Sequence, residues 1–86
     1  MGVIRNSKYR LNEGNQESNY NLARAYHQLG LVHKSVPYYE KVLLAKPHPD
    51  PNKNLTREAA YNLHLIYKNS GNLQLARKML RDYCTI

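Results

Sequence analysis

Hydrophobic residues recur along residues 20–47 at the spacing of an amphipathic helix. Apolar side chains recur three or four positions apart from Tyr20 to Leu29, and a second amphipathic run continues to Pro47. This spacing places the apolar residues of each run on one helix face. Gly30 separates the two runs and suits a turn that needs positive φ. The pattern therefore predicts a helical hairpin.

The same pattern returns in the second half of the chain. When Gly30 is aligned with Gly71, 41 residues later, Tyr20 falls on Tyr61. Self-similarity at such an interval is typical of helical repeat proteins, in which each hairpin buries its apolar face against the next. The sequence therefore predicts an all-α fold of four helices in two hairpins.

Capping residues and turn glycines define the ends of these predicted helices. Asn15, Ser35 and Thr56 can each accept a hydrogen bond from a helix N-terminus. Pro37 would then lie in the first turn of the second helix, where no backbone hydrogen bond is lost. The predicted helices cover about residues 16–29, 35–45, 56–70 and 73–83.

Three prolines separate the two hairpins. Pro47, Pro49 and Pro51 stand at alternating positions, which favours an extended, semi-rigid spacer and excludes a helix. The predicted organisation is a flexible tail followed by one domain of two hairpins. Its segments are the tail 1–15, hairpin 16–47, spacer 47–55 and hairpin 56–86.

Composition and charge narrow the class of protein. The 86 residues carry 13 lysines and arginines against 6 acidic residues, and the net charge of +7 favours acidic partners or nucleic acid. The basic residues are scattered rather than gathered into a stripe, so a solvated surface is the simpler interpretation. No run approaches the roughly 18 apolar residues of a membrane span. The single cysteine, Cys84, excludes an internal disulfide and fits a reducing compartment.

The repeat resembles the tetratricopeptide family, whose unit is a helical hairpin of about 34 residues. The resemblance covers about residues 16–86, and the proline spacer accounts for the longer interval. It implies a short right-handed superhelical stack. The signature places are occupied by Leu22, Ala23, Tyr26, Gly30, Ser35, Tyr39, Val42 and Pro47 in the first copy, and by Leu63, His64, Tyr67, Gly71, Ala76, Leu80 and Tyr83 in the second. His64 departs from the pattern, because a small residue is usual there.

A narrower resemblance rests on the phrases HQLGL, YYEKVL and SGN and on the closing YCTI. They are similar to the carboxy-terminal repeats of the tetratricopeptide subunit of transcription factor IIIC. In that family the subunit scaffolds the RNA polymerase III initiation complex and contacts initiation factor IIIB. The resemblance implies a nuclear protein-interaction scaffold, whose partners are factor IIIB or other factor IIIC subunits. This chain would be a fragment or a short paralogue.

Tetratricopeptide arrays bind peptides or helices in a concave groove formed mainly by the first helix of each hairpin. Tyrosine and arginine are frequent interface anchors, because each combines a large contact area with a polar group. The tyrosines could equally pack between hairpins. Helical spacing from the signature positions predicts that the partner-binding residues are Tyr20, Arg24, His27, Tyr61, Leu65 and Lys68.

Other functions are less well supported by the sequence. The four histidines form no i, i+4 pair, and no phosphate loop or paired acid set occurs, so we expect no metal site, no cofactor and no catalysis. A chaperone-adaptor carboxylate clamp would use Asn21 and Asn62, but Tyr20 and Arg24 occupy the places of its other groups. Both asparagines are interpreted as structural groups that satisfy buried polar atoms. A basic nucleic-acid-binding module and a chaperone-adaptor module stay as alternatives to the scaffold.

Two hairpins are few for a stable repeat protein, because each hairpin has two faces to bury. We expect the apolar outer faces of helix one and helix four to need a covering neighbour. On helix four, Leu75, Met79 and Tyr83 are expected to leave apolar surface exposed. The sequence therefore predicts either self-association or stacking on a preceding array of repeats.

Overall fold

The computed structural model describes residues 15–84, which form four α-helices and one short 3-10 turn. The elements are α1 (Gln16–Gln28), α2 (Val32–Leu44), the 3-10 turn (Pro51–Lys53), α3 (Thr56–Asn69) and α4 (Leu73–Tyr83). Helix α1 packs on α2, α3 packs on α4, and α2 joins the two hairpins by packing on α3. The all-α prediction of two helical hairpins is therefore confirmed. The predicted tail lies outside the described residues except for Asn15.

Both turns between paired helices depend on a glycine with positive φ. The φ angle is 78° at Gly30 and 84° at Gly71. In each turn the following N–H returns to a carbonyl of the preceding helix, from Leu31 to Tyr26 at 2.9 Å and from Asn72 to Tyr67 at 2.8 Å. A left-handed residue closed by such a bond ends many helices. The two hairpins thus share one turn geometry, as their aligned glycines predict.

The core lies between the two hairpins. It is made of one cluster of buried side chains, Ala23, Tyr39, Val42, Ala59, Ala60, Leu63, Ile66 and Met79. Alanines at neighbouring positions 59 and 60 allow the backbone of α3 to approach its neighbours closely. Beside this core the hydroxyl of Tyr67 donates a hydrogen bond to Glu40 across the helix pair α2 and α3, at 3.2 Å. Burial, and then the carboxylate of Glu40, raise the pKa of Tyr67 to about 12, so the hydroxyl keeps the proton that it donates.

The start of α2 differs from the prediction. The helix begins at Val32, and Ser35 lies inside it, buried, with its Oγ donating to the carbonyl of Val32 at 3.0 Å. Pro37 is therefore in the second turn rather than the first. Proline has no N–H to donate to the carbonyl of His33, four residues earlier, so the prediction that no backbone hydrogen bond is lost is wrong.

Asparagine side chains accept hydrogen bonds at the starts of the other helices, although the cap position of α3 itself is Leu55. The predicted cap Asn15 is confirmed, because its Oδ1 accepts from the N–H of Glu17 at 2.8 Å. At α3 the predicted cap Thr56 is instead the first helical residue, and Asn54 accepts from both its N–H and its hydroxyl. At α4 the cap is Asn72. Amide side chains of this kind satisfy N–H groups that the helix itself leaves unpaired.

The proline spacer is anchored by a glutamine that the sequence analysis did not single out. Gln16 is buried at the start of α1, and its Nε2 donates to the carbonyl of Val42 at 3.2 Å and to Thr56 Oγ1 at 3.0 Å. Its Oε1 accepts from the N–H of Leu55 at 3.1 Å. One side chain thus joins α1, the end of α2 and the start of α3. The spacer is also not wholly extended, because it contains the 3-10 turn.

Candidate protein-interaction surface

Three side chains on α1 form a row, called here the groove row: Tyr20, Arg24 and His27. All three are partly buried and lie over the fully buried Tyr39 of α2. The rings of Tyr20 and Tyr39 meet edge to face with centroids 5.9 Å apart. The ring of His27 meets Tyr39 in the same manner at 5.8 Å, and its Nδ1 is 3.0 Å from the tyrosine hydroxyl. The buried tyrosine thus holds both rings of the groove row in place.

Asn62 of α3 connects the groove row to the second hairpin. Its Nδ2 donates to the hydroxyl of Tyr20 at 3.3 Å and to the carbonyl of Glu58 at 2.8 Å. Its Oδ1 accepts from Nη1 of Arg24 at 3.4 Å. The two contacts to α1 are long for such hydrogen bonds, whereas the bond to Glu58 is short. A partner could therefore replace the contacts to Tyr20 and Arg24 without disturbing the helix that carries Asn62.

Arg24 is the charged group of this surface. Burial, and then the nearby guanidinium of Arg24, lower the pKa of His27, which favours the neutral imidazole. Burial raises the pKa of Tyr39, an effect that Arg24 opposes. The groove row therefore presents one cation beside two neutral rings that can donate and accept hydrogen bonds.

The predicted residues of α3 lie on an adjoining stripe. Tyr61 is 52% exposed and its ring lies 5.6 Å from that of His64. Leu65 is half-buried and Lys68 is exposed, at spacings of four and seven residues from Tyr61. The Nδ1 atom of His64 is buried and has no hydrogen-bond partner within the described residues. This histidine replaces the small residue that the repeat usually has, and at the aligned position of α1 Ala23 is fully buried.

The structure changes the interpretation of the two asparagines. Asn62 has the expected bond to a backbone carbonyl, but it also belongs to the candidate surface through Tyr20 and Arg24. Asn21 is exposed, so the expectation that it satisfies buried polar atoms is wrong. The signal in the sequence was the Tyr-Asn pair that recurs at Tyr61. Only the packing of α3 beside α1 shows that Asn62, and not Asn21, contacts the groove row.

A second surface lies on the outer side of α1. Among residues 15–84, α3 packs extensively on both α2 and α4, whereas α1 packs extensively on α2 and meets α3 through a few side-chain hydrogen bonds. Leu63 is 0% exposed, and the aligned Leu22 on α1 is 44% exposed; Leu29, at the end of α1, is 72% exposed. Leu22 therefore does not hold the hairpin together, contrary to its place in the signature. We call Leu22 and Leu29 the outer leucines.

Helix α4 exposes less apolar surface than its sequence suggests. Leu75 is 36% exposed, but Met79 is buried and Tyr83 packs against the core. The prediction of a strip formed by these three side chains is wrong for Met79 and Tyr83, because α3 covers them. Within residues 15–84, exposed apolar side chains occur on or beside all four helices, and the outer leucines are two of them.

An open cavity of about 750 Å³ lies between the spacer and the start of α1. It is lined by Asn15, Gln16, Glu17, Lys46, Pro47, His48, Pro49, Lys53 and Leu55. Within residues 15–84, no three His, Cys, Asp or Glu side chains come together as a group that could hold a metal ion. No helix in the same range is long and apolar enough to cross a membrane.

Comparison with protein families identifies the first hairpin. The family model described as Tetratricopeptide repeat matches residues 16–49, which cover α1, α2 and the first part of the spacer. The repeat predicted from the sequence is therefore confirmed at this hairpin.

Three known proteins are similar to most of this chain. General transcription factor 3C polypeptide 3 of Homo sapiens is 46% identical over 76 residues, covering 83% of this chain. Transcription factor tau subunit sfc4 of Schizosaccharomyces pombe is 43% identical over 89 residues, covering 86%. The transcription factor tau 131 kDa subunit of Saccharomyces cerevisiae is 44% identical over 71 residues, covering 83%. The chain spans only 9%, 9% and 6% of these proteins.

Proposed function

Because the chain carries a tetratricopeptide repeat and is similar over most of its length to transcription factor 3C and tau subunits, we propose that it is a non-catalytic protein-interaction scaffold. Its partner segment would lie along α1 and α3, against the groove row, Asn62 and the stripe of Tyr61, Leu65 and Lys68. The observation that carries this proposal is the seam formed by Tyr20, Arg24 and Asn62 over the buried Tyr39.

The side chains of this seam are already held in position before a partner binds. Tyr20 and His27 are fixed by contacts to Tyr39, so ordering them on binding costs little conformational entropy. Arg24 can exchange its long bond to Asn62 for a carboxylate or a backbone carbonyl of the partner. Aromatic and arginine side chains in such positions commonly supply most of the binding energy of an interface.

The similarity to transcription factor subunits supports a specific cellular role. We propose that the chain acts in the nucleus as part of a factor IIIC assembly that recruits the RNA polymerase III initiation machinery. Its partner would be initiation factor IIIB or another factor IIIC subunit. The chain itself would supply one contact within a much longer scaffold, since it spans less than a tenth of these relatives.

The outer leucines support stacking on another hairpin. At the aligned position of α3, Leu63 is completely buried in the core. Full burial of one leucine contributes about 1.5–3 kcal/mol, so a hairpin that covered both outer leucines would stabilise the fold appreciably. We expect Leu22→Asp to abolish association with a preceding hairpin or a second copy in sedimentation, whereas unchanged association would exclude this face.

Direct nucleic-acid binding is less well supported by the described basic residues. Lys34 lies over the ring of Tyr26 at 5.8 Å, and Lys41 lies over the ring of Tyr38 at 5.0 Å. The two tyrosine rings stack on each other at 5.7 Å. These lysines therefore contribute to cation–π contacts within the first hairpin. If the chain bound DNA with an affinity that fell steeply as the salt concentration rose, direct nucleic-acid binding would instead be supported.

Pull-down from nuclear extract tests the scaffold. Wild-type chain, Arg24→Ala and Tyr61→Ala are compared, with Lys53→Ala as a control on the exposed spacer. We expect the two groove variants to retain about a tenth or less of the bound factor IIIC and factor IIIB subunits, and the control to retain nearly all. Equal recovery with all four proteins would contradict the proposal.

A further inference from the structure

The outward side of α4 differs in chemistry from the corresponding side of α2. On α2, Val36 packs against the core and Glu40 accepts the hydrogen bond of Tyr67, so these two positions face the next hairpin. The repeat offset places them on Arg77 and Arg81 of α4, and both arginines are exposed. Helix α4 therefore carries cations at the two positions where α2 contacts the neighbouring hairpin.

These arginines belong to a basic face formed by Gln74, Arg77, Lys78 and Arg81. Together with Asn72 and Leu75, these residues line an open groove of about 430 Å³. The one acid of α4, Asp82, accepts from Nζ of Lys78 at 3.0 Å and from Nε of Arg81 at 3.5 Å. The face holds three cations against one carboxylate, so its charge stays positive.

Another helical hairpin of the same kind is a poor occupant for this face. Covering three cations with apolar side chains would remove them from water without replacing their hydration, which is costly. An occupant must therefore bring carboxylates or phosphates. It must also suit Leu75, which lines the same groove and is 36% exposed.

We propose that the basic face of α4 binds an acidic protein segment that also carries apolar side chains. Arginine guanidinium groups pair with carboxylates through two parallel hydrogen bonds, and the exposed Leu75 gives the apolar side chains of such a segment a place to pack. A nucleic-acid backbone fits less well, because its sugars and phosphates offer no apolar side chain to Leu75. This surface is separate from α1 and α3, so it adds a second partner chemistry to the proposed scaffold.

Fluorescence anisotropy with a labelled synthetic peptide of repeated Glu-Glu-Leu units tests this proposal on the full chain. We expect Arg77→Glu combined with Arg81→Glu to weaken peptide binding by about tenfold or more. Lys46→Glu combined with Lys53→Glu makes the same change in net charge beside and within the spacer, and should weaken peptide binding by less than about twofold. Asp82→Asn, which removes the opposing charge, should strengthen binding by about twofold.

Other outcomes would overturn the proposal. If both double variants lost peptide affinity equally, the peptide would be attracted to the net charge of the chain alone. If the wild-type chain did not bind the peptide, the proposed site would be excluded. If the wild-type chain bound a random duplex DNA more tightly than the peptide, and Arg77→Glu combined with Arg81→Glu abolished that binding, the face would be assigned to nucleic acid. Circular dichroism checks that each variant folds, and Arg77→Gln combined with Arg81→Gln provides a milder pair with the same expected direction. Because the groove variants of α1 and α3 leave this face intact, either proposal can fail without the other.

Discussion

Arg24 and His27 determine the charge of the groove row. The guanidinium lies beside an imidazole whose pKa is lowered, first by burial and then by the arginine itself. The two side chains are three residues apart, so the sequence predicts that they share a helix face. His27 also contacts the hydroxyl of the buried Tyr39, and no spacing along the chain predicts that contact.

The lowered pKa of His27 predicts a dependence of stability on pH. The folded state disfavours the protonated imidazole, so the unfolded state binds more protons below the ordinary histidine pKa of about 6.5. The contribution of His27 is therefore present above that pH and is lost as pH falls through the folded pKa. The change should be well below the about 1.4 kcal/mol of a full pKa unit, because solvent screens a partly exposed ring.

Urea unfolding at pH 5.5 and 7.5 measures this effect, the two values lying about one unit either side of the ordinary pKa. The difference between the two free energies of unfolding should shrink in His27→Gln. It should be unchanged in His33→Asn, which alters an exposed histidine of α2. If His27→Gln kept the full difference, the assignment of this pH dependence to His27 would be wrong.

The helices and turns follow closely from the sequence, whereas their junctions do not. Periodicity and the two glycines predicted four helices, and α4 spans the predicted range. The start of α2 was misplaced because Leu31 precedes it without a side-chain cap, so no polar residue signals where the helix begins. The role of Gln16 was missed because its partners Val42, Leu55 and Thr56 are distant in sequence, and only the packed hairpins bring them together.

Gln16 should determine how firmly the spacer holds the two hairpins. In Gln16→Leu the size of the side chain is kept, but its three hydrogen bonds are lost, and the N–H of Leu55 loses its described acceptor. We expect the free energy of unfolding to fall by about 1–3 kcal/mol. Such a loss corresponds to a fall in Tm of roughly 4–8 °C per kcal/mol for a domain of this size.

Hydrogen exchange distinguishes a local effect from general destabilisation. The amide of Leu55 should exchange faster in Gln16→Leu by a larger factor than amides in the middle of α4. Gln28→Leu, at the exposed end of α1, is the matched control and should leave both the Tm and the Leu55 amide nearly unchanged. Equal destabilisation by the two substitutions would contradict the anchoring role of Gln16.

The two-hairpin stack as a whole presents three chemically different surfaces. The groove row and Asn62 combine aromatic rings with one cation, the outer leucines of α1 are apolar, and the end of the stack at α4 is basic. Helical spacing predicted Tyr20, Arg24 and His27 of the first surface, but not Asn62. The sequence also predicted an apolar outer face on the first helix, whereas on α4 the prediction was wrong for Met79 and Tyr83, which pack into or against the core. This distribution fits a unit that packs against one neighbour and binds others.

Site-specific photo-crosslinking tests the proposed interaction surface most directly. A photoreactive phenylalanine analogue at position 61, where the side chain is aromatic and half-exposed, is compared with the same group at position 53 on the spacer. The proposal predicts that factor IIIC or factor IIIB subunits become crosslinked from position 61, that Arg24→Ala reduces this crosslinking, and that position 53 gives little. Efficient crosslinking of these subunits from position 53, with none from position 61, would contradict it.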